Sequence, residues 1–549
     1  MVERPGGKEV PRRRGTLGWL LLCACAGAAT LVVELAAVRL LAPWFGASSG
    51  VWTNVIGVIL LALALGYLVG ARLAARPRPE RALGIVLLAA GLASLWTPAL
   101  AAPVCSAFLP AGLSLHQAAG LWLWGSLAAS LCLFLPQALL LGTVGPLAVE
   151  LVAVRRGGHA GSAGGRVLCA STLGSLAGTF ATTHVLVPRL GLQASFVLAG
   201  LVLLVLGAAA LLVESRSRTA LLGALVVAAF AAPSVGGGGA LRRPAPGAGM
   251  RVRAERESPY QYLRVVDDES WNEPLRLLQV NEGLDSYQSV WQAQPGLLGP
   301  GFYYDLFALP LFLGDARGPW RTLVLGLGAG TAFRVLEGVA PEGLALELSG
   351  VELDPVVIEL AREHFELDSS AHTVLGGRDA RLALRSVEPG LDCVLLDAYA
   401  NQVEIPAHLC SVEFFGEVRE KLAPGGWIAV NAGGFGSDDP VIRALGHTLA
   451  RAFGSALALR VPRARNWVLF ARREAALPRP GDDGSCVGAA WEIEGDVPAA
   501  LLAPLRVPGS AAWFADDPDA RVLTDDLNPM DFLQRRSLQE GLERLRAAS

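Results

Sequence analysis

The chain has 549 residues, too many for one ordinary domain. Its composition, 52% hydrophobic and 17% charged, with a mean hydropathy of +0.44, is too apolar for a wholly water-soluble enzyme. A net charge of -3 gives no reason to expect a nucleic-acid partner.

The apolar excess is confined to one part of the chain. After a basic tail (1–15), residues 16–237 hold long stretches almost free of charge, whereas residues 250–549 have ordinary charge density. About twenty apolar residues make one helical crossing of a bilayer. On that measure the sequence predicts spans near 17–42, 51–74, 83–102, 117–141, 167–188, 192–213 and 219–236, a membrane domain of about 7–8 helices. The first apolar stretch follows a basic leader but is too long for a cleaved signal and precedes further spans, so it reads as a retained helix.

Basic residues cluster before the first span (Arg12, Arg13, Arg14) and after the second, fourth and sixth, which puts the amino terminus in the cytoplasm. An odd number of spans would then leave the carboxyl-terminal domain outside. Residues 117–154 are too long for one helix and contain Pro136 and Pro146, so dividing them restores an even count. A basic group after the last span (Arg242, Arg243, Arg251, Arg253, Arg256) agrees with a cytoplasmic exit. Glu34 and Arg39 are ionisable groups inside the first span and therefore functional candidates. Five residues is about 140° around a helix, so they do not pair with each other. They either make polar contacts between helices or recognise a polar or cationic molecule.

Eight scattered cysteines, without a CxxC pair or a histidine at zinc spacing, read as buried thiols, and no metal is expected. Residues 238–257, rich in Gly, Pro and Ala at their start, read as a linker. A small β-lobe (258–320) follows, with YLRVVDD and LRLLQVN as a hairpin. From 321 to 472 strands and helices alternate in the manner of a doubly wound sheet. Strand TLVLG leads to a helix from Thr331, LALELSGVE to a helix at Pro355, and LDCVLLD to a helix from Ser411. WIAVNA, ALALRV and NWVLFA are later strands, with APGG as the turn before the first of them, and residues 473–549 are an extension.

The chemistry lies at the strand ends. Gly326, Gly328 and Gly330 form a GxGxG turn after an apolar strand, and Glu352 follows Gly330 by 22 residues at the end of the next strand. Glycines let the backbone approach a nucleoside, and a carboxylate there accepts two ribose hydroxyls. The third glycine comes one residue earlier than in NAD-type turns, which points to an S-adenosyl ligand. Asp379 in GGRDARLAL is placed to accept a bond from an adenine amino group, its plainer reading being a helix N-cap. Asp397 ends the apolar strand VLLD, so its carboxylate emerges at the ligand edge of the sheet, where it can hold and deprotonate an amine.

The sequence resembles the membrane-fused spermidine synthase-like proteins, a branch of the polyamine aminopropyltransferase family. The resemblance runs through AGAATLVVELAAVRLLAPWFG, ESPYQYLRVVDD, NEGLDSYQS, YYDLFALP, VLGLGAGTAFRVL, GVELDPVVIELAREHF, RDARLAL, DCVLLDAYANQVEIPAHL and VLTDDLNP. It implies a multi-pass α-helical membrane domain followed by an α/β Rossmann-like domain, of the class I S-adenosylmethionine-dependent transferase type, with a small amino-terminal β-lobe. The implied reaction moves an aminopropyl group from decarboxylated S-adenosylmethionine to a polyamine such as putrescine. It also implies that Glu352 binds ribose, Asp379 adenine and Gln261 the nucleoside, with Asp397 catalytic and Tyr260 and Tyr399 lining the site. The implied partners are a small amine and the lipid bilayer, and a homo-oligomer is left open. DAYANQVEIPAHL occupies the place of a substrate-gating loop.

Two departures matter. The family's GGGDG places an aspartate against the donor's ammonium, and this chain has Ala329 there. The loop after Asp397 reads AYAN, which lacks the family's second acid unless Glu404 replaces it. These leave a methyltransferase using ordinary S-adenosylmethionine, and a non-catalytic protein that senses or transports a polyamine or nucleoside, as alternatives.

Overall fold

The structure, a computed structural model, describes residues 14–45, 49–109, 121–156, 160–214, 249–271, 273–281, 287–313, 318–399, 405–475, 477–486 and 497–548. They form two compact units, one up to residue 214 and one from residue 249.

The first unit is helical: α1 (Arg14–Phe45), α2 (Ser49–Ala74), α3 (Pro79–Phe108), α4 (Leu121–Leu133), α5 (Leu135–Arg156), α6 (Ala160–Ala181) and α7 (Val187–Glu214). Five of its helices are long and apolar enough to cross a membrane. The predicted fourth span is divided, as its length required, between α4 and α5 at Phe134. Pro136 then falls in the first turn of α5, where its missing N–H breaks no intrahelical bond. The predicted span at 167–188 is displaced. Helix α6 starts earlier, ends at Ala181 and runs into a wide helical turn at Thr182–Leu186. It is not among the five, because Arg166 and its many Gly, Ser and Thr residues dilute its apolar content. The segment 219–236 lies outside the described residues.

Small residues set the helix pairs. A Cβ at Gly174 or Gly178 of α6 would strike the backbone of Ala24 or Ala28 in α1, and one at Gly66 of α2 would strike α5 at Leu139 and Gly142. Backbones approach this closely only where side chains are minimal.

The second unit carries two sheets. The smaller is an antiparallel meander of β1 (Met250–Glu257), β2 (Tyr262–Asp268), β3 (Leu275–Val280) and β4 (Ser289–Trp291). The expected hairpin is β2 with β3, in register Val265↔Leu278. Strand β1 lies inside the segment read as linker. Its alternating MRVRAERE exposes every second side chain while its backbone pairs with β2, so charge at an edge strand hid the ladder.

The larger sheet has the order β12-β10-β11-β9-β8-β5-β6-β7. Its strands are β5 (Trp320–Leu325), β6 (Leu346–Glu352), β7 (Thr373–Gly376), β8 (Leu391–Leu396), β9 (Leu422–Gly433), β10 (Ser455–Arg460), β11 (Asn466–Arg472) and β12 (Ala511–Ala515). Helices α8 (Thr331–Val339), α9 (Pro355–His364), α10 (Ala380–Ser386), α11 (Val412–Lys421) and α12 (Pro440–Phe453) cover its faces, and α13 (Met530–Ala548) packs on α12. Leu323 and Leu325 enter the apolar core on one face and Val324 the core on the other, which is why β5 reads as an unbroken apolar run. The APGG segment does not precede β9 but bulges within it, since the ladder to β8 jumps from Leu422 to Trp427. Strand β12, in the region read as an extension, closes the edge of the sheet against β10. Strand order reverses between β5 and β8, both parallel, and this opens the crevice in which such sheets bind ligands.

Candidate active site

A cavity of about 300 Å³ lies at that crevice, lined by Gly326, Gly328, Glu352, Asp379, Asp397 and Tyr399 from the sheet's carboxyl edge. Gln261, Leu278, Val280 and Gln288 of the small lobe form the facing wall, with Pro406, His408 and Leu409 beyond.

The glycine turn is shaped by contact. Gly326 has φ 90, and a Cβ there would run into the backbone of Asp397 and Ala398. A Cβ at Gly328 would strike Ser289 Oγ. Only glycine allows the turn and β8 to approach each other in this way. Gly330, with φ 89, precedes the first residue of α8 and meets Leu367, and it does not line the cavity.

Glu352 is held by backbone donors at both oxygens: Gly328 N–H donates to Oε2 (2.9 Å) and Asp354 N–H to Oε1 (3.0 Å). Burial pushes its carboxyl above the ordinary range, against these bonds. Asp354 caps α9 by accepting from Val356 N–H and also accepts the Ser258 hydroxyl. Ser258 Oγ in turn accepts from the N–H groups of Tyr260 and Gln261. This knot fastens the small lobe to the loop after β6. It also sorts the SPYQ motif: Gln261 lines the cavity and bonds Asp354, whereas Tyr260 is 50% exposed and lies outside the lining, contrary to expectation.

Asp379 is a helix N-cap, its plainer reading, and it also lines the cavity. It caps α10 by accepting from Arg381 and Leu382 N–H, and its Oδ2, 3.0 Å from His408 Nε2, belongs to a side chain that lines the cavity. Burial pushes its pKa up, but the Leu382 N–H and His408 bonds outweigh it and hold the carboxyl below the ordinary range.

Asp397 sits where β8 ends. Asn431 Nδ2 donates to its Oδ1 (2.9 Å) and the Tyr303 hydroxyl to its Oδ2 (2.9 Å). Asn431 Oδ1 accepts from Asn466 Nδ2 (2.9 Å), which fixes the amide with its donor toward Asp397. Tyr399 lines the cavity with its hydroxyl tied to the Asn431 carbonyl (3.0 Å). Burial pushes the Asp397 carboxyl up to about 7, despite the two donors that lower it, and the nearby Glu352 adds to the rise. A carboxylate that titrates near neutrality is suited to accept a proton. Neither Tyr303 nor Asn431 was singled out from the sequence, although YYDLFALP was recognised as a motif. Glu404 lies outside the described residues.

No family model matches the chain. A probable polyamine aminopropyl transferase of Bifidobacterium longum (strain NCC 2705) is 35% identical over 226 residues, covering 40% of this chain and 46% of that protein. Polyamine aminopropyltransferase 2 of Streptomyces coelicolor is 30% identical over 475 residues, covering 80% of each chain. The chain belongs to the polyamine aminopropyltransferase family. A match of that extent has to reach into the helical unit as well as the sheet unit. A solved structure, a probable spermidine synthase from Corynebacterium glutamicum ATCC 13032, is 22% identical and covers 50% of this chain and 97% of its own, with a TM-score of 0.39.

Against the family's GGGDG, Ala329 takes a different position from the one its neighbours suggested. It is 2% exposed, belongs to the apolar core and does not line the cavity, while its N–H donates to Ser289 Oγ (2.8 Å). An aspartate there would place an unpaired carboxylate among apolar side chains, so it would not face a ligand. Ala329→Asp is therefore expected to lower the melting temperature without changing which donor is used. A changed donor ratio at unaltered stability would contradict this placement.

Proposed function

We propose that the sheet unit transfers an aminopropyl group from decarboxylated S-adenosylmethionine to an aliphatic polyamine acceptor. Glu352 holds the ribose hydroxyls, Asp379 the adenine, and Gln261 with the turn at Gly326 and Gly328 the rest of the nucleoside. The acceptor amine attacks the methylene carbon bonded to the sulfonium. A C–N bond forms, the C–S bond breaks, and sulfur keeps the electron pair as a neutral thioether. The proton shed by nitrogen goes to Asp397, while Tyr399 walls the acceptor side. No metal has a part in this scheme.

The observation that carries the proposal is the partly buried Asp397, held between Tyr303 and Asn431 in the same cavity as Glu352 and Asp379. Sensing without catalysis gives no reason to hold such a group between two donors at the cavity wall. To test it, the purified chain is incubated with putrescine and either donor, and products are read by mass spectrometry. An acceptor heavier by one aminopropyl group, formed only from the decarboxylated donor, is expected. A methylated acceptor from ordinary S-adenosylmethionine would establish the methyltransferase reading instead.

The helical unit tethers this activity to a cell membrane, with the sheet unit in the cytoplasm where S-adenosyl nucleotides are made. Five helices of sufficient length among the described residues support the tether, and the distribution of arginines supports the cytoplasmic side. A reporter active only outside the cytoplasm, fused after Ser549, is expected to stay silent, and strong signal would reverse the orientation.

A further inference from the structure

The helical unit contains a second and larger cavity, of about 640 Å³, that the transfer reaction does not use. Its wall comes from α1, α2, α5 and α6. These four helices form two backbone-tight pairs, α1 with α6 through Gly27, Gly174 and Gly178, and α2 with α5 through Gly66, Gly70 and Gly142. Loose packing of the helices does not account for the space, because both pairs flanking it are as close as glycine allows.

The chemistry of the wall is one-sided. Glu34 of α1 and Glu150 of α5 both line it, and neither carboxylate has a hydrogen bond or ion pair among the described residues. Among the described residues no lysine, arginine or histidine is present in the lining. Arg39 cannot serve, since it is turned about 140° from Glu34 on the same helix. Pro146, also in the wall, has no N–H to give the Gly142 carbonyl four residues back, and this leaves another acceptor at the cavity. The remaining surface is mainly aliphatic, including Leu31, Leu63, Val144 and Val167.

Two carboxylates without a partner among the described residues, on the wall of an otherwise mainly aliphatic cavity, favour a cationic guest. A bare metal ion fits poorly: among the described residues no group of three or more metal-ligating side chains exists. The space is also about twenty times the share of one water molecule, roughly 30 Å³. Aliphatic walls with anionic groups on two different helices match a flexible chain of methylenes bearing separated ammonium groups. We propose that this cavity is a binding site for an aliphatic polyamine, distinct from the site in the sheet unit. This follows from the cavity's own residues and stands whether or not the transfer reaction is as proposed.

The test uses the full chain in lipid nanodiscs. An apolar carbodiimide modifies glutamates in apolar surroundings, and peptide mass spectrometry reads Glu34 and Glu150 separately. Spermidine is expected to slow modification of both at least tenfold. Neutral 1,8-octanediol, and sodium chloride at equal ionic strength, leave the rate unchanged. Equilibrium dialysis with labelled spermidine is expected to find one fewer bound molecule per chain in E34Q/E150Q, while any transferase turnover is unaltered. Modification that spermidine does not slow, or that octanediol slows equally, overturns the proposal, as does undiminished stoichiometry in the double variant. If that variant does not fold, the protection experiment on the unaltered chain decides alone. Loss of transferase activity in every preparation would refute the reaction and leave this readout intact.

Discussion

Asp397→Asn is expected to lower transferase turnover by roughly 10² or more while S-adenosyl nucleoside binding is largely kept. The variant keeps the shape of the side chain. Its amide oxygen can still accept from Asn431 or Tyr303, so the end of β8 holds its place. What disappears is the negative charge that holds the acceptor amine and the oxygen that takes its proton. Turnover in the unaltered chain should rise with pH through about 7, because the ionised carboxylate is the competent form and burial has moved its pKa there. The Asn431 bond favours that ionised form, so Asn431→Ala raises the pKa and moves the rising limb to higher pH. Stability carries the same signature. A carboxyl whose folded pKa lies above its unfolded value destabilises the fold as pH rises between the two, here from about 3.8 to about 7. Asp397→Asn should therefore melt higher than the parent at pH 8 and with no such advantage at pH 3. Full activity in Asp397→Asn refutes the mechanism, and an unshifted profile in Asn431→Ala removes Asn431 from it.

The parts of the site that were legible in the sequence are those fixed by the local chain. Glu352, Asp379 and Asp397 each follow a run of strand residues, and a carboxylate at the carboxyl end of a parallel strand has to emerge at the ligand edge. The glycine turn was legible for the same reason. What was missed comes from pairings between distant segments. Tyr303 reaches Asp397 across 94 positions, and Ser258 reaches Asp354 across 96. No local periodicity encodes either. Tyr260 and Gln261 are neighbours in one motif whose N–H groups both donate to Ser258 Oγ, yet one is half exposed and the other lines the cavity and bonds Asp354. Ala329 is a similar case: its motif position is local, but its burial in the apolar core and the bond from its N–H to Ser289 of β4 are not. The membrane spans were legible where apolar residues dominate and displaced at α6, whose small residues serve close packing with α1.

Nucleoside affinity should depend most on Glu352. Glu352→Ala is expected to weaken binding of S-adenosyl nucleosides by roughly five- to 150-fold, the equivalent of about 1 to 3 kcal/mol for ribose hydroxyls left without an acceptor. A second loss adds to the first. The carboxylate also anchors the Gly328 and Asp354 N–H groups, so its removal frees the glycine turn from the loop after β6. Glu352→Gln separates the two contributions. It keeps an acceptor oxygen for one of these N–H groups and preserves size, yet its amide cannot accept from both ribose hydroxyls and both backbone groups. Its affinity should fall between those of the parent and the alanine variant, with turnover at saturating donor closer to the parent. Calorimetric titration with S-adenosylhomocysteine reads the affinities, and product formation at saturating donor reads the turnover. Equal affinity in all three chains would mean that the nucleoside lies elsewhere than in the cavity between Glu352 and Asp397.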